Sequence, residues 1–189
     1  MQRQSSLGFS FSTYAIQSRY MEDGKYADGL SASFSSNAAL LSFLYRGTIM
    51  GIEMSGGITH TELEYKYHEN QMYPPNTYYD KTIIHKYDNF LLLFSPRVNI
   101  KHEGFNPFFD ITIGTEFYPV NHNGLTAVSN PFIFKSSFGI QNCFLRNWLA
   151  EIKLGFGSRS DFAYNDQRKF LIGNFELSFY RILYSRISH

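Results

Sequence analysis

The sequence predicts an all-β fold: an eight-stranded antiparallel up-and-down transmembrane β-barrel, built as a single β-barrel domain over residues 1–189. Three observations predict it. The segment NPFFDITIGTEFYP, Asn106 to Pro119, sets Phe109, Ile111, Ile113 and Phe117 on one face and Asp110, Thr112, Gly114 and Glu116 on the other. A period of two belongs to a strand. Aromatic residues make up 18% of the chain, with 19 Phe and 14 Tyr against one Trp; Phe and Tyr favour strands and gather at the rims of membrane barrels. Long polar segments alternate with short turns along the chain, the connectivity of a barrel whose two rims differ.

The first strand runs from Ser5 to Ile16, with Leu7, Phe9, Phe11 and Thr13 alternating against Gly8, Ser10, Ser12 and Tyr14. Small and polar residues inward suit a narrow barrel. Gln17–Ala27 reads as a polar loop. The second strand begins near Asp28, slips phase at Asn37–Leu40, and resumes with Leu41, Phe43 and Tyr45. A slip of that kind predicts a β-bulge, or a turn that splits the segment. Arg46-Gly47-Thr48 is a tight turn.

The third strand spans Ile49 to Tyr67, with Met50, Ile52, Met54 and Ile58 outward and Gly51, Glu53, Ser55, Gly57 and Thr59 inward. Beyond His60 it turns polar and Tyr-rich, and His68–Asp80 reads as a long loop broken by Pro74-Pro75. The fourth, Lys81 to Lys101, sets Phe90, Leu92, Phe94, Pro96 and Val98 against Asn89, Leu91, Leu93, Ser95, Arg97 and Asn99. Pro96 donates no ladder bond and predicts a bulge or strand end. After a turn at Glu103–Asn106 comes the fifth strand, already described, and then a loop at Asn121–Ala127.

The sixth, Val128 to Asn142, places Phe132, Phe134, Phe138 and Ile140 outward and Lys135, Ser137, Gly139 and Gln141 inward. A turn at Cys143–Asn147 leads to the seventh, with Trp148, Ala150, Ile152, Leu154 and Phe156 outward and Glu151, Lys153, Gly155 and Gly157 inward. Ser158–Gln167 is a polar loop. The eighth, Arg168 to Ser185, sets Leu171, Phe175, Leu177 and Phe179 against Asn174, Glu176, Ser178 and Tyr180.

Composition removes several classes. A formal net charge of +1 supplies no basic field for nucleic acid. No run of eighteen apolar residues exists, so no transmembrane helix is expected. Cys143, the single cysteine, rules out an intramolecular disulfide and a cysteine-cluster zinc site, and is expected to be a buried thiol. Met1–Ser12 lacks the apolar core of a signal peptide, so either the protein stays in the cytosol or, as a barrel requires, the chain begins at a mature N-terminus with Met1 added.

With the strands placed, the chain resembles the small eight-stranded outer-membrane barrels of the OmpA/OmpX kind. Its segments NPFFDITIGTEFYP and FELSFYRILYS are similar to strands of the broad outer-membrane barrel families, including those common in Bacteroidota. The resemblance spans nearly the whole chain, by pattern rather than by motif. It implies a Gram-negative outer membrane and a role in adhesion, envelope stability or a larger complex. Such chains often end on an aromatic residue; this one ends RISH, with Tyr184 and Phe179 nearest.

The inward face predicts a lumen charge network of Glu53, Arg97, Asp110, Glu116, Lys135, Glu151, Lys153 and Glu176. In so narrow a barrel these charges must pair, which forms a plug. His60, His68, His85, His102, His122 and His189 form no HExxH or other close ligand pair, so no metal and no cofactor is expected. Ser129-Asn130 lacks the preceding His of the His-x-Ser-Asn element of lipid A deacylases, since residue 127 is Ala, and no GxSxG or phosphate loop occurs. No enzyme is therefore expected. Tyr65, Tyr67, Tyr73, Tyr78 and Tyr79 cluster about the Pro74-Pro75 loop, where Tyr supplies contact area at small entropic cost. The expected partners are outer-membrane lipid and, through loops or the Phe-rich wall, another envelope protein or larger barrel. Competing readings are a soluble lipocalin-like carrier, which needs the opposite polarity of faces, a lipid-modifying outer-membrane enzyme, and a solute pore.

Overall fold

The computed structural model describes residues 2–22, 25–71, 77–100, 106–117, 132–145, 147–161 and 168–187. Eight strands follow in order: β1 (Gln2–Glu22), β2 (Lys25–Arg46), β3 (Met50–Gln71), β4 (Thr77–Asn99), β5 (Asn106–Phe117), β6 (Phe132–Leu145), β7 (Trp148–Asp161) and β8 (Arg168–Ile187). Each pairs antiparallel with its neighbour in sequence, and β8 closes on β1. Among the described residues no helix occurs.

Alternation decides which side chain goes where. Phe9, Met54, Phe138 and Leu154 stand outward and exposed, while Ser10, Ser55, Ser137 and Lys153 are buried inside. A soluble carrier would show the reverse, because its outer face meets water. This is the polarity of a barrel surrounded by lipid.

The closure geometry follows from the ladder. Going round from Gln4 through Arg46, Gly51, Arg97, Asp110, Ser137, Gly155 and Asn174, the path returns to β1 at Tyr14, ten residues further on. A stagger of ten over eight strands tilts them by roughly 40°. Each step to the next strand therefore climbs a little over one residue toward the rim that carries the β1–β2, β3–β4, β5–β6 and β7–β8 connections, here called the upper rim.

Several expectations give way. The phase slip at Asn37–Leu40 is neither bulge nor turn: β2 pairs with β1 in one register from Ser31 to Arg46. Ala38 and Leu40 simply point inward, into an apolar layer. Pro96 does not end β4. The β4–β5 ladder lapses at Ser95 and Pro96 and resumes unshifted at Arg97↔Asp110, leaving a shallow apolar groove of about 410 Å³ on the outer wall between Tyr45 and Ile111. Cys143 is exposed, because it lies near the end of β6 where the lumen has ended.

The polar segments expected as loops are largely strand. Gln17–Ala27 continues β1 and β2 up to the pair Glu22↔Lys25. His68–Asp80 continues β3 and β4 up to Gln71↔Thr77. Ser158–Asp161 belongs to β7, which pairs with β8 to Asp161↔Arg168. The loop at Asn121–Ala127, the beginning of the sixth strand at Val128, and Tyr73 with Pro74-Pro75 lie outside the described residues.

Candidate functional site

Inside the barrel the stagger sorts the inward residues by height. Leu44, Leu149 and Tyr180 form an apolar floor near the lower rim. Above it Arg97 stacks over the Phe108 ring at 4.3 Å. That ring fills the space over Gly139, where a Cβ would come within 2.4 Å of it.

The charged layer comes next. Lys153 Nζ donates to Glu53 at 2.5 Å and to Glu176 at 2.8 Å. Glu53 also accepts from Tyr180 Oη at 2.6 Å and from the Arg97 guanidinium. Arg97 donates a second bond, 2.7 Å, to Glu151. Lys135 reaches Glu176 and Asn174, each at 3.2 Å, and Asn174 donates to Ser12 at 2.7 Å. Asp110 sits 3.8 Å from Lys153. These contacts tie seven strands into one network, and β2 joins it through Ser42, which bonds to Ser55 at 2.8 Å, while Ser55 donates to Glu53 at 3.3 Å.

A second apolar layer covers it: Tyr14, Ala38, Leu40, Leu91, Leu93, Ile133 and Ile172. Glu116 lies above that layer and apart from the other carboxylates. It accepts from Asn89 at 2.9 Å and pairs with Arg159 at 3.0 Å. Of the eight charges read from sequence, seven are therefore brought together and Glu116 stands in a separate upper group. Arg159 and Tyr180 are additions. Arg159 falls in a segment whose composition reads as a polar loop, although its parity matches inward Gly155 and Gly157. Tyr180 was placed inward, but parity does not say that its hydroxyl reaches Glu53.

Among the described residues, five buried carboxylates face four buried cations. Burying charge is costly, and breaking one partner out of such a set costs more than the set contributes. The chemistry available to this interior is cohesion between strands. His60, the one histidine with a described side chain, is outside the lumen and bonds to Asp88 at 2.8 Å.

The outer wall changes character with height. Phe11, Ile58, Phe90, Phe132 and Phe156 are exposed apolar residues. Immediately above them come polar cross-strand pairs: Thr13 with Asn37 at 3.0 Å, His60 with Asp88, and Glu62 with Lys86 at 2.9 Å. Past this line β3 and β4 continue for about ten residues each, or roughly 30 Å along the strand. Tyr65 and Tyr67 lie on this part of β3, as the sequence places them, and Tyr78 and Tyr79 lie on this part of β4 rather than in a loop; their side chains lie outside the described residues. β1 and β2 project in the same way.

The closed eight-stranded wall has a counterpart among solved structures. Neisserial surface protein A shares 11% identity over 93% of this chain and 96% of its own, with a TM-score of 0.55. The chain has the fold of a small outer-membrane β-barrel. The attachment invasion locus protein of Yersinia pestis, solved with the heparin analogue sucrose octasulfate, is 12% identical over 96% of this chain and 98% of its own, with a TM-score of 0.47. No family model and no curated protein sequence matches this barrel.

Proposed function

We propose that the protein is a non-enzymatic barrel of a Gram-negative outer membrane, and that its projecting β-hairpins contact an extracellular or envelope partner. The observation that carries this reading is the separation of roles by height. Within the apolar band the interior is filled by paired charges between two apolar layers, which favours structure over passage or catalysis. Above the band β1 to β4 continue, with β2 and β3 paired up to Ser31↔Lys66 and hairpins rising beyond, and the β3–β4 hairpin carries four of the five clustered tyrosines on its strands. Tyr brings large contact area with few rotatable bonds, and such surfaces suit protein or glycan recognition.

The test is photo-crosslinking in intact cells. A photoreactive residue at position 67 or 78 is expected to give a discrete higher-mass adduct. Replacing residues 63–85 by a short turn is expected to abolish it while leaving the heat-dependent gel mobility of a closed barrel. No adduct from either position would remove the interaction role. Recovery of the native protein as a detergent-free soluble monomer would remove the membrane assignment altogether.

A further inference from the structure

The two rims differ in how their outward charges are balanced. At the upper rim the described outward side chains pair within the protein: Asp88 bonds to His60, and Glu62 pairs with Lys86. At the lower rim, among the described side chains, the outward charges on β1 and β8 are Arg3 and Arg181, and no carboxylate faces outward there. Arg181 stands in the ladder between Leu7 on β1 and Trp148 on β7. It thus sits at the lower edge of the apolar band, flanked by an aliphatic and an aromatic neighbour. Arg3 lies on the same outward face of β1 as Leu7, four residues nearer the lower rim.

The local fold holds this patch in place. The β1–β8 register shifts between Ser5 and Ser6, and Ile182 N donates to Asn147 O at 2.8 Å, fixing the start of β7, and so Trp148, beside Arg181. Tyr184 is exposed nearby. Indole and phenol rings settle at the headgroup level of a bilayer. A guanidinium binds phosphate through paired N–H bonds, and its stem covers apolar surface while the head reaches the interface.

We propose that this β7–β8–β1 seam is a binding site for the headgroup of an anionic phospholipid in the leaflet at the lower rim, with Arg181 on the phosphate, Arg3 adding positive charge further down β1, and Trp148 beside the upper acyl chain. The proposal rests on the membrane-spanning reading, and the test separates the two. Trp148 is the only Trp of the chain, so its emission reports this seam alone.

The full-length protein is refolded into phosphatidylcholine vesicles containing a fixed fraction of phosphatidylglycerol. Bromine is placed on the acyl chains of one lipid or the other. Brominated phosphatidylglycerol is expected to be enriched beside Trp148 about fivefold for each arginine engaged. The preference is expected to vanish in the Arg3→Gln, Arg181→Gln double variant, to persist in part in Arg181→Lys, and to be unchanged in Lys86→Gln at the upper rim. These residues are exposed, and heat-dependent mobility checks that each variant is folded. Equal quenching by the two lipids in the parent, or a preference that survives the double variant, overturns the site. Quenching by neither lipid overturns the membrane reading and the site with it.

Discussion

Glu53 and Lys153 lie 100 positions apart in the chain and meet at 2.5 Å in the centre of the lumen. Glu53 gathers β4, β7 and β8 onto β3 through Arg97, Lys153 and Tyr180. Removing it by Glu53→Ala leaves two buried cations short of a partner. Unfolding in urea from detergent micelles is expected to show a loss of about 3–5 kcal/mol. A loss below about 1 kcal/mol would mean that water already serves those cations and that the network adds little cohesion.

Phe108 and Gly139 are a steric pair. A methyl group at residue 139 would meet the Phe108 ring at 2.4 Å. Gly139→Ala is expected to cost about 1–3 kcal/mol through overpacking, and adding Phe108→Leu is expected to recover part of that. A double-mutant cycle reads the coupling, and additive losses would place the ring elsewhere.

Depth in the membrane can be mapped with one charge. Phe9 and Phe138 are outward within the band, whereas His60 stands just above it. Arg at either Phe position is expected to cost about 2–4 kcal/mol in a lipid-refolded barrel, and Arg at His60 about 0–1 kcal/mol. Equal penalties at all three positions would contradict the band as drawn.

The interior has apolar layers above and below its charges. In a planar bilayer the parent barrel is expected to show no discrete conductance above leak. Stepwise openings of uniform size would contradict the filled lumen and favour a pore.

Much of the wall was legible because facing is a local property. Successive residues of a strand point to opposite sides, so Ile113 and Glu116, or Ile152 and Lys153, declare their faces without reference to any other strand. Legibility failed where composition stopped tracking facing. At Ala38 and Leu40 apolar residues turn inward, so hydrophobicity changed phase while the backbone did not. In the segment around Tyr79 polar and apolar residues do not alternate, and only the ladder reveals it as strand. Arg159 is buried, but its neighbours Ser158, Ser160 and Asp161 are polar on both faces, so composition at the end of β7 reads as loop.

By itself, then, the sequence determined an antiparallel barrel of eight strands, its lipid-facing wall and its charged interior, because a period of two acts residue by residue. The tertiary structure alone decided which charges meet. The stagger of ten residues around the closed wall sets the height of every inward side chain, and heights on different strands are not written in any one of them. It raises Glu116 to Arg159 above an apolar layer, lowers Glu151 to Arg97, and brings Glu53 to Lys153.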